Sequence, residues 1–193
     1  TDENGCSDTV TVEITENEVL EISENTPSLF TNSGVSCNGQ TDGFINITTT
    51  GGTQVYTYDW TDQDGNAVTA NDQGNLENIG AGTYTAVVTD ENGCSDTVTV
   101  EITENEPVAV SEEHSNYAEY GVSCKNETDG FINLTTTGGT ETYTYDWTDQ
   151  DGNTVTANDQ GNLENIGAGT YTAVVTDENG CSDTVTVEIT ENE

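Results

Sequence analysis

Polar and apolar residues alternate along much of the chain, and the alternation is clearest near position 100. In residues 97–103, Val98, Val100 and Ile102 are separated by threonine and glutamate. A period of two predicts a β-strand with one buried face and one face in water. The same seven letters recur at residues 9–15 and 184–190.

This strand belongs to a longer repeated segment. The sequence TDENGCSDTVTVEITENE occurs at residues 1–18, 89–106 and 176–193, and residues 34–106 align with 121–193 without a gap, differing at seven of 73 positions. We therefore interpret residues 1–18 as the C-terminal strand of a preceding repeat, and residues 19–106 and 107–193 as two full repeats. A unit of this length is large enough to build its own core, which predicts independent domains and not a solenoid.

The remaining patterns within a unit are also those of strands. Tyr56, Tyr58 and Trp60 fall on one face of a predicted strand, and Asp64-Gly65 predicts a hairpin turn. The apolar alternation at Tyr84 predicts another strand, and its GTY start resembles a tyrosine corner. Seven or so short strands with frequent turn signals, and no helical period, predict an all-β fold of tandem β-sandwich domains.

The charge balance narrows the possible partners. The chain has 37 acidic residues and one basic side chain, Lys125, which gives a formal net charge of −36. We expect such a surface to repel nucleic acid and anionic lipid, and to keep the units soluble and apart. The alternative is that it attracts divalent cations. No stretch is apolar enough to predict a membrane-spanning helix.

Cysteine positions follow the repeat. Each unit has one cysteine after GVS (Cys37, Cys124) and one in ENGC (Cys94, Cys181), and Cys6 is the ENGC cysteine of residues 1–18. We expect disulfides Cys37–Cys94 and Cys124–Cys181, with the partner of Cys6 upstream of Thr1. Each would stabilise a unit by about 4 kcal/mol in the chain-entropy model and would indicate an oxidising, extracellular setting. Buried thiols are the alternative.

Calcium is the cofactor for which the sequence contains candidate ligands. The turn after the aromatic strand carries oxygen ligands at alternate positions, as the start of an EF-hand loop does; they are Asp62, Asp64 and Asn66, with Asp149, Asp151 and Asn153 in the second unit. The twelfth position is glutamine where an EF-hand has glutamate. A second candidate cluster lies at Asp90, Glu91 and Asn92, near Asp42 if a disulfide joins those loops. Ordinary turn chemistry also explains both clusters.

Catalysis is not expected. A site built within one unit should appear in both, yet the sole histidine, His114, occurs once. Neither a repeated Ser–His or Cys–His arrangement nor a phosphate-binding glycine loop is present. The sequence therefore predicts that the protein is not an enzyme.

Taken together, the motifs resemble the SprB repeat of very large surface adhesins of gliding Bacteroidetes. The resemblance covers nearly all of both units and departs at Lys125-Asn126, where the Asn-Gly turn is lost. In the first unit it is carried by Cys37-Asn38-Gly39, Asp42-Gly43, Gly51-Gly52, Tyr56, Tyr58, Trp60, Leu76, Ile79, Ala81-Gly82-Thr83-Tyr84, Val88-Thr89-Asp90 and Asn92-Gly93-Cys94.

The resemblance implies an exported, cell-surface array of immunoglobulin-like domains, secreted by the type IX system and moved along the cell during gliding. Asp96-Thr97-Val98 also resembles the O-glycosylation signal of Bacteroidetes, which suggests glycans on Thr97 and on its counterpart Thr184. We expect a structural spacer of an extracellular adhesin filament, whose partners are neighbouring repeats and, through a region outside this sequence, a surface or another cell.

The sequence is also compatible with two other functions. In a self-assembling fibre or sheath, residues 1–18 would complete the sheet of a neighbouring subunit. In a carbohydrate- or protein-binding module, the contacts would lie in the divergent loops at residues 23–33 and 111–120, where Phe30, Tyr117 and Tyr120 are the aromatic residues available.

Overall fold

The computed structural model describes residues 3–25 and 29–192, and all regular secondary structure in them is β. The first unit contains β1 (Glu21–Glu24), β2 (Gly43–Ile45), β3 (Ile47–Thr50), β4 (Thr57–Thr61), β5 (Ala67–Val68), β6 (Leu76–Ile79), β7 (Gly82–Thr89) and β8 (Ser95–Ile102). The second contains β9 (Ala109–His114), β10 (Gly130–Thr137), β11 (Tyr143–Asp149), β12 (Thr154–Val155), β13 (Leu163–Ile166), β14 (Gly169–Asp177) and β15 (Ser182–Ile189).

Each unit is a sandwich of two antiparallel layers. In the second unit the sheet orders are β13-β10-β9 and β12-β11-β14-β15. The first unit has the matching four-stranded sheet β5-β4-β7-β8, and its other layer consists of the pairs β1-β3 and β2-β6 because Asn46 separates β2 from β3. The chain crosses between layers after β10, β12 and β13, which is the Greek-key connection of immunoglobulin-like domains. The predicted all-β, immunoglobulin-like fold is confirmed.

A tryptophan forms the centre of each core. Trp60 and Trp147 are almost completely buried, and the indole Nε1 of each donates a 2.8 Å hydrogen bond to a backbone carbonyl, that of Gly74 or Gly161. The polar edge of the ring is therefore satisfied while its apolar area packs inside the sandwich. Around the first tryptophan pack residues from both layers, among them Val35, Ile45, Leu76, Ala86, Val88, Val100 and Ile102.

A tyrosine fixes the same corner in both units. The hydroxyl of Tyr84 donates to the carbonyl of Gly80, and that of Tyr171 to Gly167, each at 3.0 Å. Both tyrosines stand near the start of a long strand, β7 or β14, and bond back to the backbone just upstream. The tyrosine corner that the GTY motif suggested is therefore formed.

The strand expected within residues 1–18 is not formed in this chain. Residues 6–20 contain no strand, and Val10, Val12 and Ile14 are 85, 74 and 94 % exposed. The identical sequence forms β8, where Val100 and Ile102 are buried, because β7 pairs with it along its whole length. The alternating pattern specifies which face a strand buries, but the strand forms only where a neighbour supplies the hydrogen bonds.

Two glycines of the second unit differ in how closely the surrounding backbone approaches them, and one of them lies against the residues just before β9. Gly138 and Gly152 have nearly equal positive φ angles of 78° and 79°. A Cβ on Gly138 would lie 2.0 Å from the carbonyl oxygen of Pro107, whereas one on Gly152 meets nothing within 4 Å. Gly152→Ala should therefore lower the free energy of unfolding only by the left-handed backbone penalty, about 1–2 kcal/mol. Gly138→Ala should lower it by at least about 2 kcal/mol more.

Urea unfolding followed by tryptophan fluorescence measures both variants. Equal losses of stability in Gly138→Ala and Gly152→Ala would show that the close approach to Pro107 does not exist in solution.

Candidate functional site

The two units meet at a polar junction. It consists of Thr31, Ser36, Cys37 and Asn38 of the first unit, the linker residue Asn105, and Asn179 and Cys181 of the second unit. The linker occupies the positions between β8, which ends at Ile102, and β9, which begins at Ala109. Pro107 and Val108 line a small cleft beside the two cysteines.

A disulfide crosses this junction. Cys37 is bonded to Cys181, with a Cα–Cα distance of 5.6 Å and a sequence separation of 144 residues. Cys94 and Cys124 are free, exposed thiols. The predicted pairs Cys37–Cys94 and Cys124–Cys181 are therefore wrong. As expected, a GVSC cysteine is bonded to an ENGC cysteine, but the two belong to different units.

The length of β8 explains why Cys37 and Cys94 do not pair. Cys94 directly precedes β8, an eight-residue strand. Cys37 lies beside the residues that follow β8, because the neighbouring Gly39 N–H donates to Glu104 Oε2 at 2.6 Å. An eight-residue strand spans roughly 26 Å, whereas bridged cysteines have Cα atoms about 4.4–6.8 Å apart. The two cysteines of one unit therefore lie at opposite ends of the sandwich and cannot pair.

Amide side chains surround the disulfide. Thr31 N–H donates to Asn179 Oδ1 at 3.0 Å, and Asn105 Nδ2 donates to the Thr31 carbonyl at 3.1 Å. Asn38 Nδ2 donates to the Asn105 carbonyl, also at 3.1 Å, and Cys181 Sγ lies 3.1 Å from the Ser36 carbonyl oxygen. Because these contacts are mostly exposed and uncharged, the covalent bond is the strongest single connection between the units besides the backbone.

An aspartate holds each ENGC turn. Asp177 Oδ1 accepts hydrogen bonds from the N–H groups of Asn179 and Cys181, at 3.0 and 2.9 Å. Its other oxygen accepts from Thr140 N–H at 3.1 Å, which ties the turn to the loop opposite. In the first unit Asp90 makes the corresponding bonds, and the Thr53 backbone N–H is the largest cause that lowers the Asp90 pKa. The cysteine is therefore presented by a rigid turn.

A second aspartate joins the first and last strands of a unit. Asp96 Oδ2 accepts from Ile22 N–H at 2.9 Å, and Asp183 Oδ2 accepts from Val110 N–H at the same distance. The Ile22 N–H lowers the pKa of Asp96 because the bond favours the charged carboxylate. The first strand of each unit, β1 or β9, is thus fastened to its last strand, β8 or β15.

The calcium candidates form Asx turns. Asp62 Oδ1 accepts the N–H groups of Asp64 and Asn66, and the Asn66 amide nitrogen donates to Asp62 Oδ2 at 3.0 Å. Asp149, Asp151 and Asn153 repeat the arrangement. Backbone and amide N–H groups donate to both carboxylate oxygens of Asp62. Within residues 3–25 and 29–192, no group of three acidic, cysteine or histidine side chains has the geometry to hold a metal. The geometry therefore favours the turn explanation over calcium.

The other candidate residues lie on the surface. Thr97 and Thr184 are exposed on β8 and β15, so glycosylation there stays a prediction. His114 is also exposed, and its Nδ1 lies 2.8 Å from Glu112 Oε2. In the divergent loops, Tyr117 pairs with Tyr120 across a tight turn, as Phe30 does with Ser33. Residues 26–28 of the first loop fall outside the described residues.

One protein-family model matches a segment of each unit. The SprB repeat family matches residues 30–65 and 122–152. A segment of each unit is therefore similar to the SprB repeat. The matched segments contain Cys37 and Cys124, the cysteine at the downstream end of each unit. The turn expected to be lost at Lys125-Asn126 is kept, since Asn126 adopts a φ of 64°, close to the 73° of Gly39.

Three solved structures have low similarity to this chain. The insect immune protein hemolin is 15 % identical with a TM-score of 0.37; the match covers 77 % of this chain, which spans only 42 % of the hemolin chain. Murine CEACAM1b is 14 % identical (TM-score 0.33, covering 79 % of this chain and 93 % of that one), and the tandem Ig repeats of Dlar are 13 % identical (TM-score 0.30, covering 91 % and 98 %). A comparison with curated proteins found no match.

Within the described residues, no helix is long and apolar enough to cross a membrane.

The junction disulfide can be assigned with serine variants. Residues 89–106 and 176–193 are identical, so many peptides containing Cys94 and Cys181 cannot be told apart by mass. Cys94→Ser and Cys124→Ser should leave the intramolecular disulfide intact, and Cys181→Ser should expose the Cys37 thiol to alkylation. Non-reducing peptide mapping checks each variant; loss of the bond to Cys37 in Cys94→Ser would restore pairing within a unit.

The aspartate bond to β1 predicts a pH dependence. Because the folded-state pKa of Asp96 is lowered, its stabilisation is complete above the unfolded value, about 3.9, and is lost as pH falls through the folded-state pKa. Asp96→Asn should therefore reduce the free energy of unfolding at about pH 6, and the difference from the parent should shrink towards about pH 3. Urea unfolding at the two pH values measures it, and a constant difference would contradict the mechanism.

Proposed function

We propose that the chain is a structural spacer segment of a long extracellular adhesin filament built from tandem acidic immunoglobulin-like repeats. The observation that carries the proposal is the junction, where two SprB-repeat units are joined by both the backbone and a disulfide. A double connection limits how two consecutive units can reorient. That property is useful in a filament that must extend away from a cell surface.

The sequence supports a spacer over a recognition domain. The two aligned segments differ at seven of 73 positions, whereas a dedicated binding domain would be expected to differ from its neighbours. The net charge of −36 keeps units soluble and apart. The disulfide suits an oxidising, extracellular location. Proteins with this role are not enzymes, and the repeat offers no duplicated catalytic arrangement.

The finer features of this role rest on the resemblance. We assign the neighbouring repeats as the immediate partners, and a surface or another cell as the target, reached through a region outside this sequence. Secretion by the type IX system and participation in gliding motility follow from the same resemblance. The acidic surface argues against nucleic-acid partners and membrane insertion.

A second candidate function follows from residues 6–18. Val10, Val12 and Ile14 have the pattern that β8 buries, yet they are exposed. Such a segment could be donated to the sheet of another copy and produce a self-assembling fibre. Both units already contain β8 or β15, so the recipient would have to release a strand of identical sequence. This requirement makes donation the weaker candidate.

Negative-stain microscopy separates the two functions. In a Cys94→Ser/Cys124→Ser background the spacer predicts discrete two-unit rods with a narrow distribution of inter-unit angles. Adding Cys37→Ser should broaden that distribution, since only the backbone and weak polar bonds then remain. The matched control is the background without Cys37→Ser.

Open-ended fibres in that background would contradict the spacer and favour strand donation. Val12→Lys should then abolish the fibres, because a charge would enter the acceptor core, whereas Thr11→Lys on the opposite face should not.

A further inference from the structure

We propose that Cys94 and Cys124 are the two halves of a second inter-unit disulfide, equivalent to Cys37–Cys181 and completed by another repeat unit of this sequence. Each unit would then be bonded to the unit before it through its ENGC cysteine and to the unit after it through its GVSC cysteine. For this chain, the partner is a second copy, with Cys124 of one copy joined to Cys94 of the next. The inference rests on the junction geometry and does not depend on a role in adhesion.

The Cys94 half-site is already formed. Cys94 N–H donates to Asp90 Oδ1 at 2.8 Å, as Cys181 N–H does to Asp177 at 2.9 Å. Asp90 N–H bonds to the Cys94 carbonyl at 2.9 Å, and the equivalent bond in the second unit has the same length. The turn that presents Cys94 therefore has the conformation of the turn that is bonded at the junction.

The Cys124 half-site matches Cys37 in the same way. Gln40 N–H bonds to the Cys37 carbonyl at 3.0 Å, and Glu127 N–H bonds to the Cys124 carbonyl at 3.1 Å. In the residue before each cysteine, the backbone N–H of Ser36 or Ser123 donates to an aspartate Oδ1 at 3.0 Å. Neither cysteine would need to rearrange its segment in order to bond.

Exposure distinguishes the bonded pair from the other two cysteines. Cys37 and Cys181 are half-buried by each other's units, whereas Cys94 and Cys124 are exposed. The Cys94 side of the first unit has a cleft lined by Val19, Leu20, Cys94 and Ser95. These positions correspond to Pro107, Val108, Cys181 and Ser182 at the junction, where Cys37 and Asn38 close the cleft. A second copy would cover the surface that the first unit covers on the second.

One side-chain difference and one backbone difference distinguish the Cys124 face from the Cys37 face. Lys125 replaces Asn38, whose amide donates to a linker carbonyl, and a lysine ammonium is also a hydrogen-bond donor. In the nearby turn of the second unit, Ala118 and Glu119 both have positive φ, whereas within residues 29–33 of the corresponding turn in the first unit only Asn32 does. The asparagine contacts of Thr31 are therefore not copied, and the inference depends on the cysteine-bearing segments.

The bond requires an oxidant, which we identify as a low-molecular-weight disulfide such as oxidised glutathione. The Cys124 thiolate attacks one sulfur of that disulfide, forming a mixed disulfide and releasing one glutathione thiolate. The Cys94 thiolate of the second copy then attacks the Cys124 sulfur and releases the second. Two protein thiols are oxidised and one small disulfide is reduced to two thiols.

The test uses two complementary variants. A Cys6→Ser background removes the remaining ENGC cysteine, so that Cys94 and Cys124 are the thiols under study. Cys94→Ser leaves only the Cys124 half, and Cys124→Ser leaves only the Cys94 half. In a buffer of reduced and oxidised glutathione, each variant alone should stay monomeric on non-reducing gels. Their equimolar mixture should give a covalent heterodimer and nothing longer, whereas the Cys6→Ser parent should form a ladder of multimers.

The distribution of products decides the outcome. The heterodimer should account for nearly all of the covalent dimer. Random thiol pairing in an equimolar mixture would instead make only half of the dimer heterodimer. The same mixture in concentrated urea, with the Cys37–Cys181 bond kept, should lose this preference. Homodimers in either variant alone at the yield of the mixture, or glutathione adducts without dimer in the mixture, would overturn the proposal. Peptide mapping should find unchanged Cys37–Cys181 in both variants, which confirms that they are folded.

Discussion

The pairing of β7 with β8 determines at which end of a unit each cysteine lies, and the connection between units depends on that placement. The two strands pair from Gly82↔Ile102 to Thr89↔Ser95, so the hairpin between them lies at one end of the sandwich and the linker leaves from the other. The same holds for β14 and β15. The ENGC cysteine is therefore at the upstream end of each unit and the GVSC cysteine at the downstream end. A unit with complementary groups at opposite ends joins others end to end.

Electrostatics gives the covalent bond its importance. With one basic side chain in 193 residues, two units gain nothing from charge complementarity when they approach. The junction around Cys37 and Cys181 is built from amide and backbone hydrogen bonds, most of them exposed, and such bonds are individually weak in water. A disulfide is insensitive to repulsion and to salt. An acidic array that must keep consecutive units in contact therefore benefits from this bond more than a neutral one would.

The sequence predicted the strands well because its signals are local. Alternation, the Asp-Gly turns and the tyrosine corner at Tyr84 each depend on a few neighbouring residues, and each was found in the structure. The disulfide partner was not predictable in this way, since repeat analysis assigns both cysteines to one unit without showing which end each occupies. The length of β8 excludes the pair Cys37–Cys94, but only when it is known that the GVSC segment packs beside the far end of that strand. Residues 6–18 show the same limit, because their pattern identifies a buried face without supplying the neighbour that buries it.

The inter-unit bond imposes an order on biosynthesis. As the chain emerges, Cys37 meets Cys94, which is 57 residues away, long before Cys181 has been made. In an unfolded chain the nearer thiol would pair first, since short loops close more readily. Folding of the first unit removes that possibility by placing β8 between the two cysteines. Correct oxidation therefore requires each unit to fold before its thiols react, or a thiol that afterwards exchanges the wrong bond for the right one. A cell producing the array must delay the oxidant or supply that exchange.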